Sequence, residues 1–356
     1  MIKVLAPINR PEEVEQIIKA GADELYCGVL PENWKKRYSN IASPNRREWT
    51  SANLSNFGQL REIVKTAHSY GVPVYFAVNA FFTEQQYPLI MSHITEAKAA
   101  GVDALIVADI GLMLNIKEAN LDINIHISNC GTAFNSETVE FYRDLGASRI
   151  VLPRQLMIDE IDDIAFFAHD IELEVFILNS GCKNIDGFCT FHHGVNEVYH
   201  PFFWNLFKKL NFDRYFLKFL RKLPGSISSK IKANIVGVDS ACLLNYKIFN
   251  ISEGVGGKVS DLSDKVCREG FNLLSGADTC GACDLYRLNK IDVKSVKIVG
   301  RNYSTSKKVS DVEFVKKSLL LLVQDQLMSK DDYKMKVVQM YKEIYGMACN
   351  NYCYRF

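Results

Sequence analysis

The sequence predicts an α/β fold, a (β/α)8 barrel of the TIM type, with a long cysteine-containing insertion after strand seven and helices on its C-terminal side. Three observations predict it: eight short apolar runs, helical patterns between them, and a glycine that ends several of the helices just before the next strand. An open, doubly wound parallel sheet is the alternative, because it is built from the same alternation of strands and helices.

The apolar runs are nearly continuous rather than alternating, which is typical of strands buried on both faces of a parallel sheet. The eight predicted strands are Lys3–Pro7, Glu24–Val29, Val72–Asn79, Ala104–Asp109, Ile123–Asn129, Arg149–Arg154, Glu172–Leu178 and Ser295–Arg301. The last of them begins more than a hundred residues after the seventh ends, so a large insertion must separate the two.

Helix signals fill the intervals between the strands. Pro11 followed by two glutamates suits a first helical turn, where a missing N–H costs nothing and acids meet the positive end of the helix dipole. Gly21, Gly101 and Gly146 each stand where a left-handed residue ends a helix before a strand. Two amphipathic helices are predicted after the last strand, at Val312–Gln326 and Asp331–Tyr345.

This spacing divides the chain into three predicted parts. Residues 1–180 and 290–305 form the barrel, residues 181–289 the insertion, and residues 306–356 a C-terminal helical extension. Because barrel enzymes place their active sites on the loops that follow the strands, we expect the insertion to lie on the catalytic face.

The composition and net charge exclude several classes of protein. The 356 residues carry 42 Lys+Arg and 41 Asp+Glu, a formal net charge of +1, which excludes a globally basic nucleic-acid-binding protein but not a local basic patch. No apolar stretch approaches the ~18 residues of a membrane span, and the run before Pro7 is too short for a secretory signal. We therefore expect a cytoplasmic protein whose 10 cysteines are reduced, so that metal or redox chemistry is favoured over disulfides.

The cysteines are the most specific signal. Cys182 and Cys189 flank a glycine-containing loop just beyond strand seven, and Cys242 and the pair Cys280 and Cys283 follow in the insertion. Four thiolates are the ligand set of an iron–sulfur cluster and also of a structural zinc ion. A redox pair at Cys280 and Cys283 has no thioredoxin-like context.

Two further cysteines, Cys349 and Cys353, form a C-x3-C pair near the C-terminus. They are suited to supply a second metal site or an extra ligand, and an inert pair is the alternative. Cys130 ends strand five and is placed to face the barrel mouth.

Residues 200–223 combine aromatic side chains with six lysines and arginines against one acid, Asp213. One interpretation is a lid that contacts phosphates and stacks bases of RNA. The alternatives are an amphipathic helix packed on the barrel with its cations in water and, less favoured, a helix lying on a membrane surface.

Several motifs together resemble the collagenase-like peptidase family U-32. The hallmark residues are Glu174-Val175-Phe176, Ser180-Gly181-Cys182 and Gly187-Phe188-Cys189. Further similar segments are Leu5-Ala6-Pro7, Ala20–Tyr26, Asp109-Ile110-Gly111, His126-Ile127-Ser128, Val151–Arg154 and Lys297–Arg301. The chain departs from the pattern at Gln155 and Val299, where the family has glutamates.

The resemblance implies a (β/α)8-type barrel, a four-cysteine 4Fe-4S cluster and oxygen-independent hydroxylation of an RNA base or an aromatic metabolite, with prephenate as the oxygen donor in some members. Carried over by position, the implied ligands are Cys182, Cys189, Cys242 and Cys283, with Cys280 as the substitute for the last. The family name implies a peptidase instead, and a zinc-stabilised binding module is the third candidate.

Polar residues at the predicted strand ends complete the candidate site. We assign catalytic roles to Asn79, Asp109, His126 and Arg154, and cofactor-binding roles to Ser128, Asn179 and Arg301. The two arginines are suited to clamp a carboxylate of a small-molecule donor, and His126 or Asp109 to move protons. The structural alternatives are an Arg154 paired with a barrel acid and a His126 that belongs to the core.

Overall fold

The computed structural model describes residues 1–38, 43–47, 50–179, 181–182, 185–188, 279–349 and 353–354. Cys189, Cys242 and the basic aromatic segment 200–223 lie outside these residues, so the predictions for them remain predictions. Met1–Cys189 and Ala277–Phe356 belong to one compact unit, which contains everything described below.

Eight parallel strands close into a barrel in chain order, which confirms the predicted fold and shows that the open doubly wound sheet is wrong. The ring closes where Lys3 of the first strand pairs with Ser295 of the last. The strands are β1 (Lys3–Pro7), β2 (Glu24–Cys27), β3 (Val74–Val78), β4 (Ala104–Val107), β5 (Asn124–Ile127), β6 (Arg149–Val151), β7 (Glu172–Leu178) and β8 (Ser295–Ile298).

Most strands end one to three residues earlier than predicted. In β6 the reason is local, because Pro153 has no N–H for the ladder and the Arg154 N–H donates to the carboxylate of Asp186 instead. The predicted site residues Asn79, Asp109, Ser128, Arg154, Asn179 and Arg301 therefore stand just beyond the strands, at the rim of the barrel.

The helices surround the barrel, and short 3-10 turns lie at Pro11–Glu13, Thr50–Ala52, Asn129–Gly131 and Ala282–Asp284. The helices within the described residues are α1 (Val14–Lys19), α2 (Glu32–Arg37), α3 (Phe57–Ser69), α4 (Tyr87–Ala99), α5 (Ile110–Glu118), α6 (Ser136–Asp144), α7 (Ile158–Phe167), α8 (Leu285–Leu288), α9 (Thr305–Gln324) and α10 (Lys330–Tyr345). Within this part of the chain, no helix combines the length and apolar character needed to cross a bilayer.

Helix α9 begins seven residues before its predicted start, because the Ser304 hydroxyl caps it by accepting from the Lys307 N–H. It packs against β1 and α1, the place of the helix that follows the eighth strand. A fully buried ion pair, Lys308 Nζ to Glu13 Oε1 at 2.7 Å, joins it to the first turn of the chain.

The barrel interior carries charge at its lower end, where the strands begin. Arg149 forms a bidentate pair with Glu24, both bonds at 2.8 Å, and also reaches Glu174 at 3.2 Å. Lys297 binds the other oxygen of Glu174 at 2.9 Å. Glu174 therefore faces the interior and pairs with two basic residues.

Candidate active site at the barrel mouth

The rim residues of β3 and β5 are joined by a hydrogen bond. Asn79 Nδ2 donates to the Ser128 hydroxyl at 3.0 Å, and the same hydroxyl caps the turn Asn129–Gly131 by accepting from the Cys130 N–H. Among the described residues, the buried Oδ1 of Asn79 has no hydrogen-bond partner. An unpaired buried acceptor is costly, so this oxygen is open to a hydrogen-bond donor.

Asp109 is engaged in local structure. Its carboxylate caps α5 by accepting from the Leu112 N–H at 2.8 Å, and it also accepts from the Phe82 N–H at 2.7 Å and the Tyr87 hydroxyl at 3.0 Å. These three bonds hold the loop after β3 against the start of α5. The structure gives Asp109 this anchoring function whether or not it also takes part in chemistry.

His126 lies inside the barrel, below the rim. Its ring contacts the Tyr75 ring edge-on at 4.6 Å between centroids. Within the part of the chain that the structure describes, the buried Nδ1 has no hydrogen-bond partner. Burial, and after it the charge of Arg149, holds the pKa of His126 well below its ordinary value. The imidazole is therefore neutral, able to accept a proton only from a strong acid.

Arg154 is held at the barrel mouth by an ion pair and by an aromatic ring. Its Nη1 lies 2.7 Å from Oδ1 of Asp186, and its guanidinium stacks 3.9 Å above the Phe176 ring. None of the residues that the structure describes forms a hydrogen bond with the buried Nε. Burial opposes the charge, but Asp186, and after it Tyr354, Cys182 and Cys130, raise the pKa of Arg154 above its ordinary value. The predicted barrel acid is thus Asp186, which lies between the two predicted ligands Cys182 and Cys189.

Gln155 docks this cysteine loop. Its amide nitrogen donates to the Cys182 carbonyl at 3.3 Å, and its amide oxygen accepts from the Asp186 N–H at 3.3 Å. A glutamate, which the family pattern has here, lacks the donor for the first of these bonds. Gly187 brings the loop close to the β5 rim, since a Cβ there would lie 2.8 Å from the Cys130 carbonyl oxygen.

Arg301 lies at the rim after β8, two strands along the ring from β6. Its Nη2 donates to the backbone and side-chain oxygens of Asn45 at 3.3 and 3.0 Å. Gly28 leaves room for it, because a Cβ at that position would lie 2.2 Å from Nη1. The loop after β2 therefore holds Arg301, and this loop is absent from the predicted site.

Asn179 is buried in a left-handed conformation with φ of 68°. Its side chain donates to Val299 O and to Asp311 Oδ2 of α9, and accepts from Lys307 Nζ. Every polar atom of this amide thus has a protein partner. Its predicted cofactor-binding role is untested, but its visible function is to join β7 to the C-terminal helices.

The thiols fall into two neighbourhoods. Cys182 is half-buried and Cys130 is buried. Negative charge on either sulfur raises the pKa of Arg154. Cys283, the predicted fourth ligand, follows Cys280, whose backbone pairs with that of Cys353. In the described ranges no group of three or more His, Cys, Asp or Glu side chains already has the geometry of a metal site.

Sequence reasoning missed Asp186, the docking bonds of Gln155, and Tyr354. Asp186 had a signal, since it is the acid within the Cys182–Cys189 loop. No sequence signal pointed to Tyr354. Its ring packs on Val151, Phe176 and Val299 inside the barrel rim, and its hydroxyl donates to the Asn179 carbonyl.

Comparisons with known proteins agree with the motifs. The model of peptidase family U32 matches residues 9–198. The chain is 31% identical over 195 residues to tRNA hydroxylation protein P of Haemophilus influenzae, and 31% identical over 195 residues to a Methanocaldococcus jannaschii protein named as an uncharacterized protease. It is 28% identical over 193 residues to the 23S rRNA 5-hydroxycytidine C2501 synthase of Escherichia coli.

These matches cover part of each protein. The match with the Haemophilus influenzae protein covers 55% of this chain and 39% of that protein. The values are 53% and 43% for the Methanocaldococcus jannaschii protein, and 54% and 26% for the Escherichia coli synthase. The chain thus spans less than half the length of each of these three relatives.

Proposed function

The chain belongs to peptidase family U32, and from this membership we propose that it is an enzyme that hydroxylates a base of RNA by oxygen-independent chemistry at the barrel mouth. The observation that carries the proposal is the placement of Arg154. Its buried guanidinium stacks on Phe176 and pairs with Asp186, and among the described residues its Nε has no hydrogen-bond partner. That arrangement holds an anion-binding group on the loop that carries the proposed ligand Cys182.

The proposed cofactor is a 4Fe-4S cluster held by Cys182, Cys189 and Cys242, with Cys283 as the sequence-predicted fourth ligand. The half-buried Cys182 fits this role, because its loop is held by Gln155 and by Asp186 and ordered loops orient metal ligands. When bound, the group supplies one-electron chemistry.

The chain's own residues bind and orient the reactants. Arg154 and Arg301 carry fixed positive charge at two places on the rim, suited to the carboxylates of a small-molecule oxygen donor; prephenate is the donor the family resemblance implies. The Oδ1 of Asn79 accepts a hydrogen bond from donor or base. His126 stays neutral below them and adds no positive charge to the interior.

RNA is the proposed macromolecular substrate, since two of the relatives carry names of RNA hydroxylation. The basic aromatic segment 200–223 is its proposed contact, through phosphates and stacked bases.

A peptidase is the second candidate, because one relative at 31% identity is named as a protease. It would need a nucleophile and a base in hydrogen-bond reach. His192 and His193, which the sequence offers beside Cys189, lie outside the described residues.

The test is a strain lacking the gene, complemented with the wild-type chain or with Cys182→Ala. We expect one hydroxylated nucleoside to disappear from digested tRNA or rRNA, as read by mass spectrometry, and to return only with the wild type. Anaerobically purified wild type should hold iron and sulfide, and Cys182→Ala should lose both. An unchanged nucleoside profile, with gelatin cleavage that survives in Cys182→Ala, would replace the hydroxylase with the peptidase.

A further inference from the structure

We propose that Tyr354 is a positioning residue of the candidate active site, and that it holds the Arg154 guanidinium in place through the ring of Phe176. The inference rests on the proposed function for its effect on kinetics, whereas its effect on Arg154 follows from contacts alone. Tyr354 lies outside the residues 9–198 that match the family model, so the family resemblance assigns it no role.

Backbone pairing brings Tyr354 to the rim of the barrel. Leu178, at the end of β7, forms an antiparallel bridge with Cys280. Cys280 in turn forms a parallel bridge with Cys353, and its carbonyl accepts from the Tyr354 N–H at 3.1 Å. These contacts use backbone atoms alone, so they leave the sulfur of Cys280 to its predicted place as substitute ligand.

The Tyr354 ring packs on a small apolar cluster at the barrel mouth. The cluster consists of three buried residues from neighbouring strand ends: Val151 of β6, Phe176 of β7 and Val299 just after β8. Among the described residues, Tyr354 is the only partly buried apolar side chain that packs against it. Removing this ring would therefore open the cluster to water.

Val299 adapts the cluster to the ring. The family pattern has a glutamate at this position, and a carboxylate is costly to bury against an aromatic side chain. Val299 is instead apolar and 6% exposed, so its contact with Tyr354 is favourable for both side chains. A departure from the family pattern and a contact made by a residue outside the family match thus coincide at one point of the rim.

Phe176 connects Tyr354 with Arg154. The Arg154 guanidinium lies 3.9 Å above the centre of the Phe176 ring, and Phe176 belongs to the cluster that Tyr354 covers. A cation is attracted more strongly to an aromatic face where water is excluded. Asp186 holds one end of the guanidinium, and the Phe176 ring sets its plane. Tyr354 therefore acts on Arg154 by keeping that ring dry and in one orientation.

The Tyr354 hydroxyl restricts the movement of its own ring. It donates to the carbonyl of Asn179, whose side chain is held in turn by Lys307 and Asp311. The side chain is thus anchored at its tip by the hydroxyl and at its base by the backbone N–H. An aromatic ring fixed at both ends is suited to position a neighbour.

The first test measures hydrogen exchange of the Arg154 Nε–H in nitrogen-15 spectra of the full chain. The Arg154 signal is the one that is missing from Arg154→Lys. We expect exchange about tenfold faster in Tyr354→Ala, because the loss of an aromatic contact eases local opening. Tyr354→Phe keeps the ring but loses the bond to Asn179, so its rate should lie between those of Tyr354→Ala and the wild type. Tyr70→Ala is the matched control, since it removes an exposed tyrosine after α3, and it should exchange at the wild-type rate.

The second test is the kinetics of RNA hydroxylation with prephenate as the donor. Because Arg154 is proposed to hold a carboxylate, Tyr354→Ala should raise the KM for prephenate about tenfold and leave the KM for RNA unchanged. A wild-type exchange rate in Tyr354→Ala would overturn the positioning role, even if urea unfolding showed that this variant is less stable. The same acceleration in Tyr70→Ala would also overturn it. A wild type that hydroxylates no RNA would refute the proposed function instead, and the exchange rates would still decide the role of Tyr354.

Discussion

Arg154 Nη1 and Asp186 Oδ1 lie 2.7 Å apart, and this contact joins the end of the sixth strand to the loop between Cys182 and Cys189. The pair is nearly buried, with side chains 10% and 6% exposed. The second oxygen of Asp186 accepts from the Arg154 N–H. The Asp186 carboxylate thus positions both the Arg154 guanidinium and the loop that carries the predicted metal ligands.

Replacing Asp186 with asparagine removes the charge that fixes Arg154. We expect Asp186→Asn to lower iron retention and RNA hydroxylation by about 10- to 100-fold, as for groups that orient metal ligands. Asp159→Asn is the matched control, because Asp159 pairs with Arg287 at an exposed site. Wild-type iron content and hydroxylation in Asp186→Asn would contradict the role given to the pair.

Gln155→Glu tests the docking of the cysteine loop with an almost isosteric change. Glutamate keeps an acceptor for the Asp186 N–H but loses the donor to the Cys182 carbonyl, and it places a second negative charge near Asp186. Removing the bond to a part-buried carbonyl costs about 1–3 kcal/mol, so iron should leave to a chelator about ten times faster. Gln59→Glu is the control, since the Gln59 side-chain oxygen only accepts, from Ser55. Equal release rates in both variants would exclude this docking function.

Glu24→Gln tests the charged interior of the barrel. Burial raises the pKa of Glu24, but the hydrogen bonds and charge of Arg149 outweigh it and lower that pKa to about 2. Because the folded-state pKa is depressed, the stabilisation is complete above the ordinary value of 4.5 and is lost as pH falls from 4.5 towards 2.

In urea unfolding at neutral pH, Glu24→Gln should lose about 1–3 kcal/mol, because Arg149 loses the charge of its bidentate partner but keeps its bonds to Glu172 and Glu174. Glu15→Gln, at the exposed pair with Lys19, should leave the free energy of unfolding nearly unchanged. The acid sensitivity of the wild type between pH 4.5 and 2 should be weaker in Glu24→Gln. A variant as stable as the wild type would contradict the assigned contribution.

His126 should stay neutral as the pH is lowered. Burial, followed by the charge of Arg149, lowers its pKa, so the unfolded chain binds a proton below about pH 6.5 that the native chain does not. Its contribution to stability therefore falls as pH drops below that value. Nitrogen-15 spectra of the imidazole should show the neutral form down to about pH 5, and a midpoint near the ordinary value of 6.5 would refute this account.

The basic aromatic segment predicts a salt-dependent interaction with RNA. Removing one cation that binds a phosphate reduces the slope of log affinity against log salt by about 0.7 for single strands. Binding of tRNA or rRNA fragments is measured after replacing four segment lysines with glutamine: Lys208, Lys209, Lys218 and Lys222. The control replaces four exposed lysines elsewhere: Lys65, Lys117, Lys330 and Lys336. Equal slopes in the two quadruple variants would remove the segment as the RNA contact.

Much of the fold follows from local pattern. Continuous apolar runs such as Ala104–Val107 are short enough to be strands and too uniform to face water, and the glycines after α1, α4 and α6 end those helices where predicted. The same reasoning puts Asn79 and Arg154 at the rim, because residues that follow parallel strands gather at one end of a barrel. The family hallmark at Cys182 is equally local.

The sequence by itself thus determined the strands, their order and the rim positions, since these depend on periodicity and turn residues a few positions apart. Only the tertiary structure decided that Arg154 pairs with Asp186, that Arg301 is held by Asn45, and that Cys280 pairs with Cys353. The physical reason is that an ion pair, a hydrogen bond or a backbone bridge of this kind depends on which distant segments the closed barrel brings together, and no local spacing encodes that choice.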